Sequence, residues 1–247
     1  MQAFRPASLR LVYEDADLLA VDKPAGVVVH PTYKNQDGTL LDALREHARH
    51  WPAGQRPSIV GRLDKLTSGV VVVAKTAGIH AALQRELTSD RSDKAYLVVV
   101  HGVVEPAGGR IDVELGFDPA DRRRIVPSPG TGWPSVTAFE RLAQNGGLSL
   151  LRCRLETGRR HQIRVHLAAR GWPIVGDSTY GGIRTDSADA ALREMVRSFP
   201  RQALHAARVA FAHPNTGVRI AVEAPLPGDM RSLIESAGLA SAFFNAV

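Results

Sequence analysis

The chain has 247 residues, 44% of them hydrophobic and 23% charged, which is enough apolar material for one large domain or two intimate lobes and excludes global disorder. Its formal net charge of +6 suits a polyanionic partner and a solubilising surface equally well. A single cysteine, Cys153, excludes an internal disulfide, and no apolar stretch approaches the roughly 20 residues of a membrane-spanning helix.

Leu9–Tyr13 and Leu18–Asp22 read as two short strands, and Val27–Val29 resumes the strand pattern after the Lys23-Pro24-Ala25-Gly26 turn. Leucines at 40, 41 and 44 predict an amphipathic helix over Thr39–Trp51. A strand over Gly69–Lys75 and a helix over Ala77–Thr88 follow. Lys94–Val104 is a long apolar strand, with shorter candidates at Gly108–Leu115 and Arg122–Val126. Ser135–Leu142 and Leu148–Glu156 form a hairpin closed by Asn145-Gly146-Gly147. A helix over Arg159–Ala169 stops at Gly171-Trp172-Pro173. Gly181–Arg201 changes composition, and Ser187–Ala191 reads as a surface insertion. A second hairpin joins Leu204–Ala212 to Val218–Val222, and a last helix runs from near Pro227 to Ala237. Many strands with few, scattered helices predict a mixed α/β or α+β fold on an antiparallel-rich sheet. Cys153 lies in the apolar run Leu148–Leu155 and is expected to be a small buried side chain. No secretory segment and no cysteine cluster for zinc is visible, so a reducing cytoplasm is the expected compartment.

Three segments carry residue types suited to chemistry. Gly61-Arg62-Leu63-Asp64-Lys65-Leu66-Thr67-Ser68-Gly69 sets a lone carboxylate beside an arginine, directly before the apolar run Val70–Ala74. A carboxylate held against a substrate acts as nucleophile or general base. The commoner duty of an Asp in such a turn is to cap nearby amides, here those of Thr67 and Ser68. In Gly158–His166, helical spacing brings His161, Arg160 and Arg164 to one cationic face. That face suits phosphates, a guanidinium paired with a buried carboxylate, or plain solvation. His161 and His166 lack the companions of a metal site and read as hydrogen-bonding histidines. Tyr96 opens an otherwise aliphatic strand, as a stacking ring with a polar tip or as an ordinary edge tyrosine.

In order along the chain, several segments together resemble the RluA-type family of RNA pseudouridine synthases. They are Leu11–Asp15, Val21–Gly26, Arg62-Leu63-Asp64 with Thr67-Ser68-Gly69, and Lys94-Ala95-Tyr96. Thr157–His166, Gly176-Asp177-Ser178-Thr179-Tyr180-Gly181, Leu204-His205-Ala206 and Phe211–Pro214 complete the set. Gly61 stands where the family pattern usually has His. The resemblance implies an α+β fold over residues 1–247, a single catalytic domain of two lobes sharing a mixed, mostly antiparallel sheet with the active cleft between them. The S4-like domain that often precedes it is not expected, because the first strand begins within about ten residues of Met1.

The resemblance also implies the reaction: cleavage of the N-glycosidic bond of uridine in ribosomal or transfer RNA, turning of the base, and rejoining through carbon 5. No cofactor and no metal are implied, and a monomer is the default. Asp64, Tyr96 and Arg164 are the implied catalytic residues. Asp64 attacks the anomeric carbon or takes the proton at carbon 2′, Arg164 pairs with it, and Tyr96 stacks against the uracil. Arg62, Thr67, His161 and Gln162 are the implied substrate-binding residues, Arg62 filling the gap left by the flipped base. Two other classes compete. An RNA-binding protein that has lost catalysis would not need Asp64, Tyr96 and Arg164 together, and a sugar glycosidase would need a second opposed carboxylate.

Overall fold

The computed structural model describes residues 9–181 and 189–240. In chain order its elements are β1 (Arg10–Glu14), β2 (Leu18–Lys23), α1 (Leu40–His47), β3 (Ser58–Val60), β4 (Ser68–Ala74), α2 (Ala77–Thr88) and β5 (Asp93–His101). Then come β6 (Gly108–Asp112), β7 (Leu115–Phe117), β8 (Ile125–Pro127), β9 (Val136–Asn145), β10 (Leu148–Leu155) and α3 (Gln162–Ala169). The chain closes with α4 (Ala190–Ser198), β11 (Leu204–Ala212), β12 (Arg219–Glu223) and α5 (Gly228–Ser236). It divides into two compact units, one of residues 1–94 and 206–225, the other of residues 95–205 and 226–247. The chain passes from one unit to the other inside β5 and inside β11.

In the first unit, β2 pairs with β1 and β4, and β3 extends β4, all antiparallel. The alternation of side chains along β2 and β4 divides their apolar residues between two cores. Leu19, Val21, Val71 and Val73 face Leu40 and Leu44 of α1. Leu18, Ala20, Val70, Val72 and Ala74 face Ile79 and Leu83 of α2, together with Val209, Phe211, Ile220 and Val222 of the β11–β12 pair. Both helices are capped as the sequence dictates. Thr39 and Asp42 form a reciprocal capping box on α1, and the Thr76 hydroxyl accepts the Ile79 N–H at 3.3 Å.

In the second unit β10 lies between β5 and β9, and β6 extends β9, again antiparallel. Ile163 and Leu167 of α3, Leu192 and Val196 of α4, and Met230, Leu233 and Ile234 of α5 share a core with Val98–Val100, Leu150 and Leu151. Cys153 is fully buried there, and burial pushes its thiol up to about 12, so it packs as a small apolar residue. The β9–β10 turn has positive φ at both Gly146 and Gly147, the geometry that two-residue hairpins demand.

An α+β architecture with antiparallel pairing thus holds within each unit. Several local expectations need correction. Val27–Val29 is no strand. Its carbonyls instead receive the first amides of α1, Leu40 N–H on Val28 and Leu41 N–H on Val29. Gly108–Leu115 is split between β6 and β7. Ser187 and Ala188 lie outside the described residues, and Asp189, expected within a surface insertion, caps α4 through the Ala191 and Leu192 amides. Helix α3 begins at Gln162 rather than Arg159, because His161 adopts φ 55°, the only positive φ at a non-glycine among the described residues. The predicted cationic helix face therefore does not form. Arg159 and Arg160 precede the helix and are exposed, whereas Arg164 is buried.

No helix among the described residues is long and apolar enough to cross a membrane.

Candidate active site

In the first unit the Asp64 turn links β3 to β4. Its exit is the buried pair Thr67 and Ser68, each 2% exposed, while Asp64 itself is partly exposed. The Thr67 amide is satisfied by the Asp64 main-chain carbonyl at 3.1 Å, so that amide does not require the carboxylate as its cap. The turn is gripped from beneath through the carbonyl of Lys65. That oxygen accepts the Gly26 N–H at 2.8 Å and the Lys23 ammonium at 3.2 Å.

Lys23 is wholly buried at the end of β2, and its ammonium also donates to the carbonyls of Pro24 at 2.9 Å and Val27 at 3.0 Å. Its three donors thus meet three backbone acceptors, which is what makes the burial tolerable. The Lys-Pro-Ala-Gly turn, whose Gly26 takes φ 89°, is in effect the seat of the Asp64 turn. Lys23→Met keeps the apolar length and removes the donors. It is expected to cost about 1–3 kcal/mol of stability, read as a shift in the denaturation midpoint, because part-buried carbonyls lose a donor. An unchanged midpoint would show that the seat carries no weight.

Arg62 projects from the same turn and is exposed. Its positive charge, after burial and ahead of Arg45, helps push the His30 imidazole below its usual value, which keeps that ring neutral. The far side of the turn is tied by the Lys65 ammonium to the Asn35 side-chain oxygen at 3.2 Å.

In the second unit Arg164 projects from α3, 6% exposed, and its guanidinium meets Asp177 edge to edge. Nε reaches one carboxylate oxygen at 2.7 Å and Nη2 the other at 2.9 Å. Asp177 also accepts the Thr179 and Tyr180 amides, at 3.0 and 3.2 Å. Burial pushes the Asp177 carboxyl up, but the hydrogen bonds and charge of Arg164 with those two amides outweigh it and hold it below the usual carboxylate value.

The Tyr180 ring lies under the Arg164 guanidinium at 5.0 Å. Its hydroxyl accepts the Ile125 N–H at 2.9 Å and meets His161 Nδ1 at 2.7 Å. Burial pushes the Tyr180 phenol up, so it stays neutral and bonds His161 Nδ1 as donor or acceptor according to the ring's tautomer. His161 is thereby fixed in ring orientation despite its left-handed backbone.

Gln162 is 2% exposed. Its oxygen accepts from the Thr157 hydroxyl and the Arg159 amide, and its nitrogen donates to the Val136 carbonyl and Thr137 hydroxyl. It clamps the Thr157–Arg159 turn to β9. His166 is buried between the Thr137 hydroxyl and the Val113 carbonyl, and burial pushes it below the usual imidazole value, a hydrogen-bonding histidine as its surroundings in the sequence suggested. Tyr96 sits on β5 opposite Cys153, partly buried against the core of this unit. Among the described residues no cluster of three or more His, Cys, Asp or Glu side chains is placed to hold a metal ion.

Arg62, Asp64 and Thr67 therefore share one turn of the first unit, and His161, Gln162 and Arg164 share the entry to one helix of the second. Asp177, Tyr180 and Lys23 were not given site roles by the sequence. The first two lay in the Gly176–Gly181 motif, and Lys23 lay in the Val21–Gly26 motif, where it was read only as part of a turn.

Residues 17–169 match the profile of the family described as RNA pseudouridylate synthase. A "Ribosomal large subunit pseudouridine synthase D" of Neisseria meningitidis serogroup B is 41% identical over 245 residues, covering 97% of this chain, and the chain spans 65% of that relative's length. The protein of the same name from Pseudomonas aeruginosa is 43% identical over 228 residues, with 92% of this chain and 71% of the relative covered. Among solved structures, "Human RNA Pseudouridylate Synthase Domain Containing 4" superposes with a TM-score of 0.74 at 22% identity over 93% of each chain, a likeness of fold.

Proposed function

The chain belongs to the RNA pseudouridylate synthase family, and from that premise we propose that it isomerises uridine in RNA to pseudouridine with Asp64 as the catalytic carboxylate. The observation that supports this most is the seating of Asp64. A partly exposed acid stands on a turn whose exit is buried and whose carbonyl at Lys65 is bound by both Gly26 and Lys23. A turn that only capped its own amides would not need such a foundation.

The reaction breaks the bond from the anomeric carbon to N1 and makes one from that carbon to carbon 5. The proton lost from carbon 5 balances the one gained at N1, so no electrons change hands. Two routes are open to Asp64. In one its carboxylate bonds to the anomeric carbon, as in retaining glycosidases. In the other it removes the proton at carbon 2′ and leaves a glycal. Tyr96 and Arg164 are assigned as further catalytic residues and Thr67, His161 and Gln162 as substrate-binding ones, on the strength of the resemblance. Gln162 would contribute by holding the turn before His161.

A uridine within folded RNA must leave its stack to react. Exposed Arg62, two residues from the acid, is assigned to the space the base vacates. Arg62→Ala is expected to lose more rate on structured RNA than on an unstructured strand bearing the same uridine. Equal losses in a tritium-release assay on the two substrates would reject base displacement by Arg62. The relatives named for the large ribosomal subunit make ribosomal RNA the first substrate class to test, with transfer RNA second, for a monomeric enzyme acting in the cytoplasm. Mapping pseudouridines in RNA from cells with and without the protein tests the whole proposal. Identical maps would reject it.

A further inference from the structure

Strands β7 and β8 form a two-stranded sheet of their own. Its inward side is apolar: Leu115 and Ile125, at 0% and 2% exposure, pack on Val165 and Tyr180. Val165 follows Arg164 in α3, and the Ile125 amide holds the Tyr180 hydroxyl that fixes His161. Phe117, directly opposite Ile125, and Trp133, directly opposite Leu115, carry that same face outward to its solvent-exposed rim. Phe117 and Trp133 are 40% and 43% exposed, although a phenyl and an indole of this size are ordinarily covered.

The two rings meet edge to face, with centroids 5.2 Å apart. Trp133 is held on the free edge of β7 by two backbone hydrogen bonds to Leu115, 3.1 and 2.8 Å, so the pair is fixed by main chain rather than by chance rotamers. The Arg122 guanidinium lies 5.1 Å from the Phe117 ring centre, whereas its neighbours Arg123 and Arg124 face Asp121 and Asp118. Exposed Arg159, whose Nε donates to the Pro134 carbonyl at 3.2 Å, brings a second cation beside Trp133.

Exposed aromatic rings edged by arginines present what an unpaired nucleotide needs, a π face for the base and cations for its phosphates. We propose that Phe117 and Trp133, with Arg122 and Arg159, form a stacking platform for an unpaired nucleotide of the RNA substrate outside the uridine that reacts. The inference rests on the chain being an RNA pseudouridine synthase. It adds a second point of attachment, carried by a hairpin whose base is packed on the helix of Arg164. A protein partner would use the apolar rings but would have no need of the cations.

The test uses the full chain and an in vitro ribosomal RNA transcript carrying 5-tritiated uridine, with a short single-stranded RNA oligonucleotide as binding probe. The double variant Phe117→Ala, Trp133→Ala is expected to raise KM and the oligonucleotide Kd by about 10- to 100-fold, the usual worth of stacked bases, with kcat changed by less than about threefold. Trp133→Phe, which keeps a ring, is expected to restore most of the binding. Arg122→Gln leaves both rings in place and is expected to lower the slope of log Kd against log salt by about one. Wild-type turnover with KM unchanged in the double variant, or an unchanged salt slope in Arg122→Gln, overturns the platform and leaves the enzymatic assignment standing. So does a loss of RNA affinity that Trp133→Phe fails to recover. No tritium release by the wild type on ribosomal or transfer RNA, with unaltered pseudouridine maps in cells, removes the enzymatic assignment itself, and the platform falls with it.

Discussion

Asp64→Asn is expected to bind RNA as the wild type does and to form no measurable pseudouridine. The substitution preserves the shape of the side chain and the main-chain contacts of the turn, since Lys65 offers its carbonyl to Gly26 and Lys23 whatever the residue before it. What it removes is negative charge. An amide is neither a nucleophile toward an anomeric carbon nor a base for a carbon-bound proton, so both routes close together. Loss of a nucleophile or its base in well-studied enzymes lowers turnover on the order of 10⁴-fold or more, and a drop of that size is expected here. Release of tritium from uridine labelled at carbon 5 measures turnover, and a gel-shift titration measures binding. Turnover near the wild-type rate would remove Asp64 from the mechanism. Loss of binding without a change in turnover per bound RNA would make it a recognition residue.

Asp177→Asn is expected to have the second largest effect, and on stability first. Arg164 and Asp177 are almost sealed from solvent, with side-chain exposures of 7% and 1%. Removing one charge of such a buried pair costs about 3–5 kcal/mol. The sign of the pH dependence follows from the lowered carboxyl. Stability from Asp177 is complete above the unfolded-state value of about 3.9 and is lost as pH falls through the lower folded-state value. The stability gap between wild type and Asp177→Asn should therefore close as the solution is acidified through that window. Chemical denaturation at several pH values checks this, and a gap independent of pH would mean the ion pair is not the source. In the fraction that stays folded, kcat should fall, because the guanidinium loses the edge-on contacts that orient it. Unchanged kcat in folded protein would confine Asp177 to a structural duty.

Much of the frame was legible because side-chain periodicity and turn chemistry are local. The Val70–Val73 run announced a strand buried on both faces, and Asn145-Gly146-Gly147 announced a hairpin because positive φ at two successive positions suits glycine. The start of α3 was not legible. A histidine in left-handed conformation leaves no mark in the sequence, and without it Arg160 and Arg164 appear to share a helix. Helix α4 was hidden in a segment read by its change of composition, where Asp189 passed for a loop residue rather than a cap. The site was harder still. Asp64 alone reads as a turn residue, and its proposed role entered through the ordered motifs around it. Lys23 reads as the first residue of a turn, and nothing local tells that three carbonyls will close around its ammonium. Asp177 finds Arg164 across 13 residues of chain, a pairing that spacing does not encode.

The unit that bears Asp64 is sewn from two distant stretches, and its second stretch supplies Val209, Phe211, Ile220 and Val222 to the face of β4 formed by Val70 and Val72. A ribosome delivers those four residues long after the acid has left the exit tunnel. Until they arrive, that side of the strand has only Ile79 and Leu83 of α2 for apolar cover, and a nascent fragment would present the rest of it to chaperones or to other unfinished chains. The proposed reactive centre is thus among the last parts of the molecule to mature, so premature termination anywhere before about residue 225 should yield a product prone to aggregate rather than a slow enzyme.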